Sequence, residues 1–176
     1  MTEDLKAKRE ELTVRAQRLG FQYERDHRGC AQCVFAALQD ALGVRGPEAD
    51  AVFRAASALA GGVAGEGDGH CGAYSGGVMF LSLLHGRDRE HFADPGRDRY
   101  RARDYAAELH RRFIERYGSV TCEHIQRKLF GRTYYLRDPA DKAPYEAAGA
   151  YVDKCPNVVG QAAGGVVGLL AAAQSP

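Results

Sequence analysis

The chain has 176 residues, 45% hydrophobic and 27% charged, which suits one domain with a core that needs no disulfide staples. Lys plus Arg (24) almost balances Asp plus Glu (23), and Trp is absent, so neither nucleic acid nor a membrane surface is an expected partner. The start, Met1-Thr2-Glu3-Asp4-Leu5-Lys6, is charged and unlike a secretory signal, so the expected location is cytoplasmic.

From Asp4 to about Leu19, the positions Leu5, Leu12, Ala16 and Leu19 recur at helical spacing among charges. They predict an amphipathic surface helix ended by Gly20, within an N-terminal extension over residues 1–28. A second helix is predicted from Cys30 to Leu42, closed by Gly43. A third starts at Pro47, a favoured first-turn residue, and carries Val52, Phe53, Ala56, Leu59 and Ala60 on one face up to Gly61-Gly62. A glycine-rich loop, Gly61 to Gly69, leads into His70-Cys71-Gly72. The segment Ala73 to Leu84, apolar nearly all round, is predicted as the central buried helix.

After a loop at Pro95-Gly96, the positions Tyr105, Leu109, Phe113 and Tyr117 mark a long helix that stops at Gly118. Ser119 is expected to cap a short helix running through Cys122 to Leu129. Residues Arg132 to Pro144 read as loop, Tyr145 to Asp153 as a short helix, and the last helix is expected to begin at Pro156. Asn157 to Pro176 carries no charge, but its glycines, alanines and Gln161 dilute it below the ~20 strongly apolar residues of a membrane span. A buried helix is expected there, without membrane insertion. No segment alternates as a strand does. The fold class expected is all-α: a single domain over 1–176 forming an irregular multi-helix bundle.

Five cysteines, Cys30, Cys33, Cys71, Cys122 and Cys155, are an odd number in a chain without an export signal. That favours ligands or redox thiols over a disulfide framework. Cys30, Cys71, Cys122 and Cys155 all fall at predicted helix N-termini. Free backbone N–H groups and the positive end of the helix dipole meet a sulfur there and favour thiolate over thiol. The four sulfurs are therefore expected to converge on one redox centre, with at least one ionised at neutral pH in metal-free protein, Cys30 or Cys155 being the choice. The plainer reading makes them small apolar core residues.

His27, His70 and His124 lie near cysteines and could ligate or donate to sulfur, although solvent-facing or capping roles are commoner. His85, His91 and His110 read as surface residues. The glycine-rich loop lacks the Gly-Lys-Ser/Thr ending of a phosphate-binding loop, and its Glu66 and Asp68 read as solvated.

Cys71-Gly72-Ala73-Tyr74-Ser75-Gly76 resembles the CGAxxG signature of the C-GCAxxG-C-C redox-active family. The likeness extends from Gly29-Cys30-Ala31-Gln32 and Ala60-Gly61-Gly62 to Gly118-Ser119-Val120-Thr121-Cys122 and Lys154-Cys155-Pro156. It implies that Cys30, Cys71, Cys122 and Cys155 are the family cysteines. A relation to the front domain of split-Soret-type cytochromes implies electron transfer and iron–sulfur chemistry. No C-x-x-C-H is present for covalent haem. Cys33 and the Arg-rich insert from Arg87 to Arg103 depart from the pattern.

Four dispersed thiolates lack the paired knuckles of common zinc sites and suit a 2Fe–2S or 4Fe–4S iron–sulfur cluster bound by Cys30, Cys71, Cys122 and Cys155. The alternative is thiol–disulfide redox through Cys30 and Cys33 without metal. A structural zinc or partner-binding domain is a third reading. If the protein is an enzyme, it is expected to be an oxidoreductase. A redox protein or small electron carrier is the expected partner, and the sequence is compatible with a homodimer.

Overall fold

The first helix runs straight through the glycine expected to end it. In the computed structural model, which describes residues 3–172, eight α-helices follow in order: α1 Glu3–His27, α2 Cys30–Leu42, α3 Pro47–Ala55, α4 Gly72–His85, α5 Asp98–Tyr117, α6 Cys122–Phe130, α7 Pro139–Ala147 and α8 Cys155–Ala172. Met1, Thr2 and residues 173–176 of the uncharged C-terminal stretch lie outside the described residues. Gly20 does not terminate α1 because its missing side chain serves packing. A Cβ there would lie 3.1 Å from Gly160 Cα, and one on Gly160 would lie 2.7 Å from the carbonyl oxygen of Gln17. The two helices therefore cross backbone on backbone.

No strand is present among the described residues, and the fold is all-α. α1 packs on α8 and α2, α2 on α4 and α8, and α4 on α5. The main core joins Ala16 of α1 to Val34, Phe35 and Leu38 of α2, Phe80 and Leu81 of α4, Leu109 and Phe113 of α5, Ile125 of α6 and Val159 and Val166 of α8. Each fully enclosed Leu or Phe contributes about 2 kcal/mol through burial. The Phe35 and Phe80 rings meet edge-on at 5.3 Å, a geometry that adds about 1 kcal/mol more. Ala150–Ala172 is long and apolar enough by length and composition to cross a bilayer. Within the bundle its Val158, Val159, Ala162, Ala163, Val166 and Val167 are buried against the other helices.

Three further expectations are corrected. α3 stops at Ala55 and tightens into a 3-10 turn, Ala56–Ala58, before the predicted face is complete. The following loop folds back to claim the carbonyls that a longer helix would keep: Ala64 N–H donates to Ala58 O at 2.8 Å and Gly65 N–H to Ala60 O at 3.0 Å. Within the stretch read as loop, α7 begins at Pro139, where the Asp138 carboxylate accepts from Ala140 N–H at 2.8 Å and Pro139 occupies the first helical position. The helix expected over Tyr145 to Asp153 is split at Gly149 (φ 85), beyond which Ala150–Lys154 forms a π-helical turn running directly into α8.

Candidate redox site

Two glycines one turn apart let α4 lie directly on α2. A Cβ on Gly76 would stand 2.3 Å from the carbonyl oxygen of Ala31, and one on Gly72 would stand 2.4 Å from Cys30 Sγ. Four-residue spacing puts both on one helix face. The CGAxxG spacing thus has a packing cause: Cys71 occupies the N-cap of α4, and a strip bare of side chains follows, against which the Cys30 sulfur rests.

Cys122 is brought beside Cys71 by a short antiparallel tie. His70 and Thr121 form an isolated bridge, flanked by Cys71 N–H to Val120 O at 2.7 Å and Cys122 N–H to Gly69 O at 2.9 Å. Glu123 N–H donates to Gly67 O at 2.9 Å, so the glycine-rich loop caps the start of α6 with its own carbonyls. Ser119 acts one step earlier than expected. Its hydroxyl accepts from Thr121 N–H at 3.0 Å, and Thr121 is the N-cap residue.

Cys155 reaches the same place from an aromatic wall. Phe130, Tyr134, Tyr145 and Tyr151 contact one another with ring centroids 5.3 to 5.7 Å apart. The Tyr145 hydroxyl lies 2.9 Å from Cys155 Sγ. Outside the wall, the Arg28 guanidinium sits 4.2 Å from the Tyr151 ring centre and bonds to Glu146 at 3.1 Å.

Cys30, Cys71, Cys122 and Cys155 all line one cavity of about 60 Å³, room for more than one water-sized atom. Apolar side chains, including Ile125, Leu129 and Val159, supply most of the remaining wall, and no Lys, Arg or His contributes to it. Each sulfur is met by a donor. The N–H of Gly61 faces Cys30, and those of Ala73 and Tyr74 face Cys71 without closing a cap hydrogen bond. The Gln126 side-chain amide lies 3.6 Å from Cys122 Sγ. Its oxygen accepts from Tyr134 N–H at 2.8 Å, which fixes the NH₂ toward the sulfur.

Helix ends do not ionise these thiols, contrary to expectation. Burial, then the neighbouring Glu24 carboxylate and Cys71, push Cys30 well above the ordinary thiol range. Burial and Cys122 push Cys71 up to about 12. Burial also raises Cys122 and Cys155, against the pull of Gln126 and Tyr145 respectively. Burial outweighs the helix ends: at Cys71 the N–H groups of Ala73 and Tyr74 lower the thiol less than burial raises it, at α6 the N–H groups of Cys122 and Glu123 go to the glycine loop, and Cys155 N–H goes to Ala150 O because the π-helical turn leaves no free end there.

Cys33 packs in the core, 4% exposed, and does not line the cavity. Its thiol donates to Arg28 O at 3.1 Å, with the Glu24 carboxyl group close beside it. His27, His70 and His124 are exposed and none lines the cavity. His85, expected on the surface, is instead half-buried and stacked on Tyr105 at 4.4 Å. Glu66 is exposed and bonded to Tyr135 and Arg137.

Among the described residues, no three His, Cys, Asp or Glu side chains stand close enough to hold a single metal ion. Cys30, Cys71, Cys122 and Cys155 line the cavity together with Glu24, whose buried Oε2 has no hydrogen-bond partner, and four soft sulfur donors are the set a thiolate-bound metal centre would use.

A family model described as "putative redox-active protein (C_GCAxxG_C_C)" matches residues 29–169. The chain belongs to this family. The CGAxxG element and all five cysteines fall inside the matched span, whereas Glu24 precedes it. No curated protein and no solved structure matches the chain.

Sequence reasoning missed Glu24, Gln126, Tyr145 and Tyr151. Gln126 lies four residues after Cys122, the spacing of neighbours on one helix face. Glu24 continues the buried stripe Ala16–Gly20 at the same interval. Those spacings were available signals; nothing local marks the two tyrosines.

Proposed function

We propose that this family member is a cysteine-based redox protein that binds an iron–sulfur cluster, 2Fe–2S or 4Fe–4S, through Cys30, Cys71, Cys122 and Cys155 for electron transfer or redox sensing. One observation carries the reading: four cysteines from four separate elements line one apolar cavity, each met by an N–H or O–H donor. When bound, the cluster supplies one-electron oxidation and reduction. The thiols, protonated in the metal-free protein, release their protons as they ligate. Gln126 donates to the Cys122 sulfur and Tyr145 to that of Cys155, which stabilises the more anionic, reduced state. Phe130, Tyr145 and Tyr151 give the cavity an aromatic wall beside Cys155. A redox protein or a small electron carrier would exchange electrons with the centre in a reducing compartment such as the cytoplasm.

Two observations weigh against exchange between Cys30 and Cys33. Both thiols are raised in pKa, and Cys33 turns to Arg28 O and Glu24.

Protein purified without oxygen is expected to show visible sulfur-to-iron charge-transfer bands, with iron and sulfide in fixed ratio. Cys71→Ser should abolish both, and Cys33→Ser should keep most of them. A colourless protein carrying stoichiometric zinc, or one whose thiols oxidise in pairs, refutes the reading. Equal loss in both variants would put Cys33 in the centre.

A further inference from the structure

A second groove, of about 520 Å³, lies between α1, α5 and α8, apart from the sulfur cavity. Cavities of this size hold organic ligands of drug-like dimensions. Its floor is apolar: Leu109, Phe113 and Tyr117 of α5 and Ala162 of α8 line it and are all buried. Its rim is cationic. Arg112 and Arg116, one turn apart on α5, both line it, and two guanidiniums so placed suit a phosphate group. One N–H of Arg112 donates to Gly165 O at 3.0 Å, and its Nε lies 3.6 Å from Glu108. The Glu115 carboxylate, which also lines the groove, is paired with Arg111.

The α8 wall of the groove is bare. Gly165 and Gly168 both line it, and packing among the described residues requires neither. A Cβ on Gly165 would meet nothing nearer than Leu109 Cδ1 at 3.9 Å, and one on Gly168 only the end of the Arg112 side chain at 3.4 Å. Gly20 and Gly160, by contrast, are forced by the backbone crossing of α1 and α8. A glycine inside a helix costs about 1 kcal/mol relative to alanine. Two such costs that no described contact explains point to a body lying flat against the helix, as a ring system does. The groove also adjoins the sulfur centre. Val158 of α8 lines the sulfur cavity and Ala162, one turn on, lines the groove, about 6 Å further along the axis. Rings span the same gap: Tyr117 to Phe113 and Phe113 to Tyr74 are each 5.4 Å between centroids, and Tyr74 stands three residues after Cys71.

We propose that this groove binds a flat heteroaromatic electron carrier bearing a phosphate group, of the flavin mononucleotide type, with the phosphate on Arg112 and Arg116 and the ring on the bare face of α8. Its role, though not the binding, rests on the cluster reading above, for which it supplies the small electron carrier. Bound as the hydroquinone, the flavin gives one electron to the oxidised centre and one proton to water, and is left as the neutral semiquinone. A second electron and proton leave in the same way and yield the oxidised flavin.

Binding is measured on the metal-free protein by quenching of flavin fluorescence, with flavin mononucleotide and riboflavin as probes and inorganic phosphate as competitor. Wild type should bind flavin mononucleotide about tenfold or more tighter than riboflavin, as charge-assisted contacts to phosphate require. Arg116→Ala should weaken flavin mononucleotide about tenfold and leave riboflavin unchanged. Gly168→Leu should abolish binding of both, while its unfolding temperature stays at or above that of wild type, because leucine is the better helix former. Should Gly168→Leu fold poorly, the exposed Arg116→Ala keeps the test decisive. In protein loaded with iron and sulfide, reduced flavin mononucleotide should bleach the visible bands at a rate that saturates with flavin in wild type, and saturation should be lost in Gly168→Leu. Absence of flavin mononucleotide binding, or equal affinity for riboflavin, overturns the site. Full binding by Gly168→Leu does so too, and if that variant is monomeric where wild type is dimeric, a second copy covers the bare face. Flavin binding by a wild type that takes up no iron keeps the site and overturns the cluster reading, and with it the electron-carrying role.

Discussion

Cys30, Cys71 and Cys122 are positioned by backbone, whereas Cys155 is positioned by side chains. On the first side, Gly72 and Gly76 bring α4 onto α2, and the bridge at His70–Thr121 locks the glycine loop to the start of α6. On the second side, Tyr145, Tyr151, Phe130 and Tyr134 lean on one another around a π-helical turn, and Cys155 is held through the Tyr145 hydroxyl. A wall made by backbone approach has little freedom to adjust, because a carbonyl cannot rotate out of the way. A wall made of rings can repack. The two halves should therefore answer mutation very differently.

The largest effect is expected on the backbone side. Gly76→Ala places a methyl 2.3 Å from the Ala31 carbonyl oxygen. Overpacking against backbone should cost about 3 kcal/mol or more in urea unfolding of the metal-free protein. Near-wild-type stability would show that α2 and α4 can separate freely, and the contrast would collapse.

Next comes Glu24, which borders both halves. Burial raises its carboxyl to about 7, against the weaker opposing pulls of Cys33 and Arg28. The folded state then holds a proton that the unfolded state has released between the ordinary carboxyl value and about 7. Stability of the metal-free protein is fully present below that window and falls as pH rises through it. A shift of this size corresponds to at most about 3 kcal/mol. Unfolding followed from pH 5 to pH 8 should show the fall in wild type and not in Glu24→Gln. A flat wild-type profile would mean that the carboxylate finds a counter-charge within the folded chain.

The smallest effect is expected on the ring side. Tyr145→Phe keeps the ring contacts and removes only the hydroxyl on Cys155, for a loss of about 1 kcal/mol. A loss as large as that of Gly76→Ala would show the aromatic wall to be as rigid as the glycine one.

The same division explains what the sequence disclosed. α2, α4 and α5 were legible because glycines and apolar periodicity mark their ends and faces. All four cysteines stand at the helix starts expected for them, those of α2, α4, α6 and α8, although α8 follows a π-helical turn and has no free end. α7 was not legible, because Pro139 and Pro144 hid a nine-residue helix whose Asp138 cap is its start signal. Gly20 misled in the opposite direction, since a glycine at a helix crossing looks like a glycine at a helix end. The ionisation of the thiols is not legible in sequence because it is decided by burial in a cavity that distant segments enclose and, at Cys122, by the tie to residues 67–69 that engages its helix-end N–H groups. That pairing joins segments about fifty residues apart, which local pattern does not reveal.

The spacing of the four cysteines also sets an order of events in the life of the chain. Forty residues lie between Cys30 and Cys71, fifty between Cys71 and Cys122, and thirty-two between Cys122 and Cys155. An unfolded chain must close loops of that length before any two of these sulfurs meet, at an entropic cost that only tertiary packing offsets. The pair that meets readily in a nascent chain is Cys30 with Cys33, and Cys33 ends up outside the cavity. On the proposed cluster reading, iron captured before folding would be held by the wrong partner, so the metal-free protein would fold first and be filled afterwards, a delivery to a finished vessel instead of a scaffold around which the vessel forms.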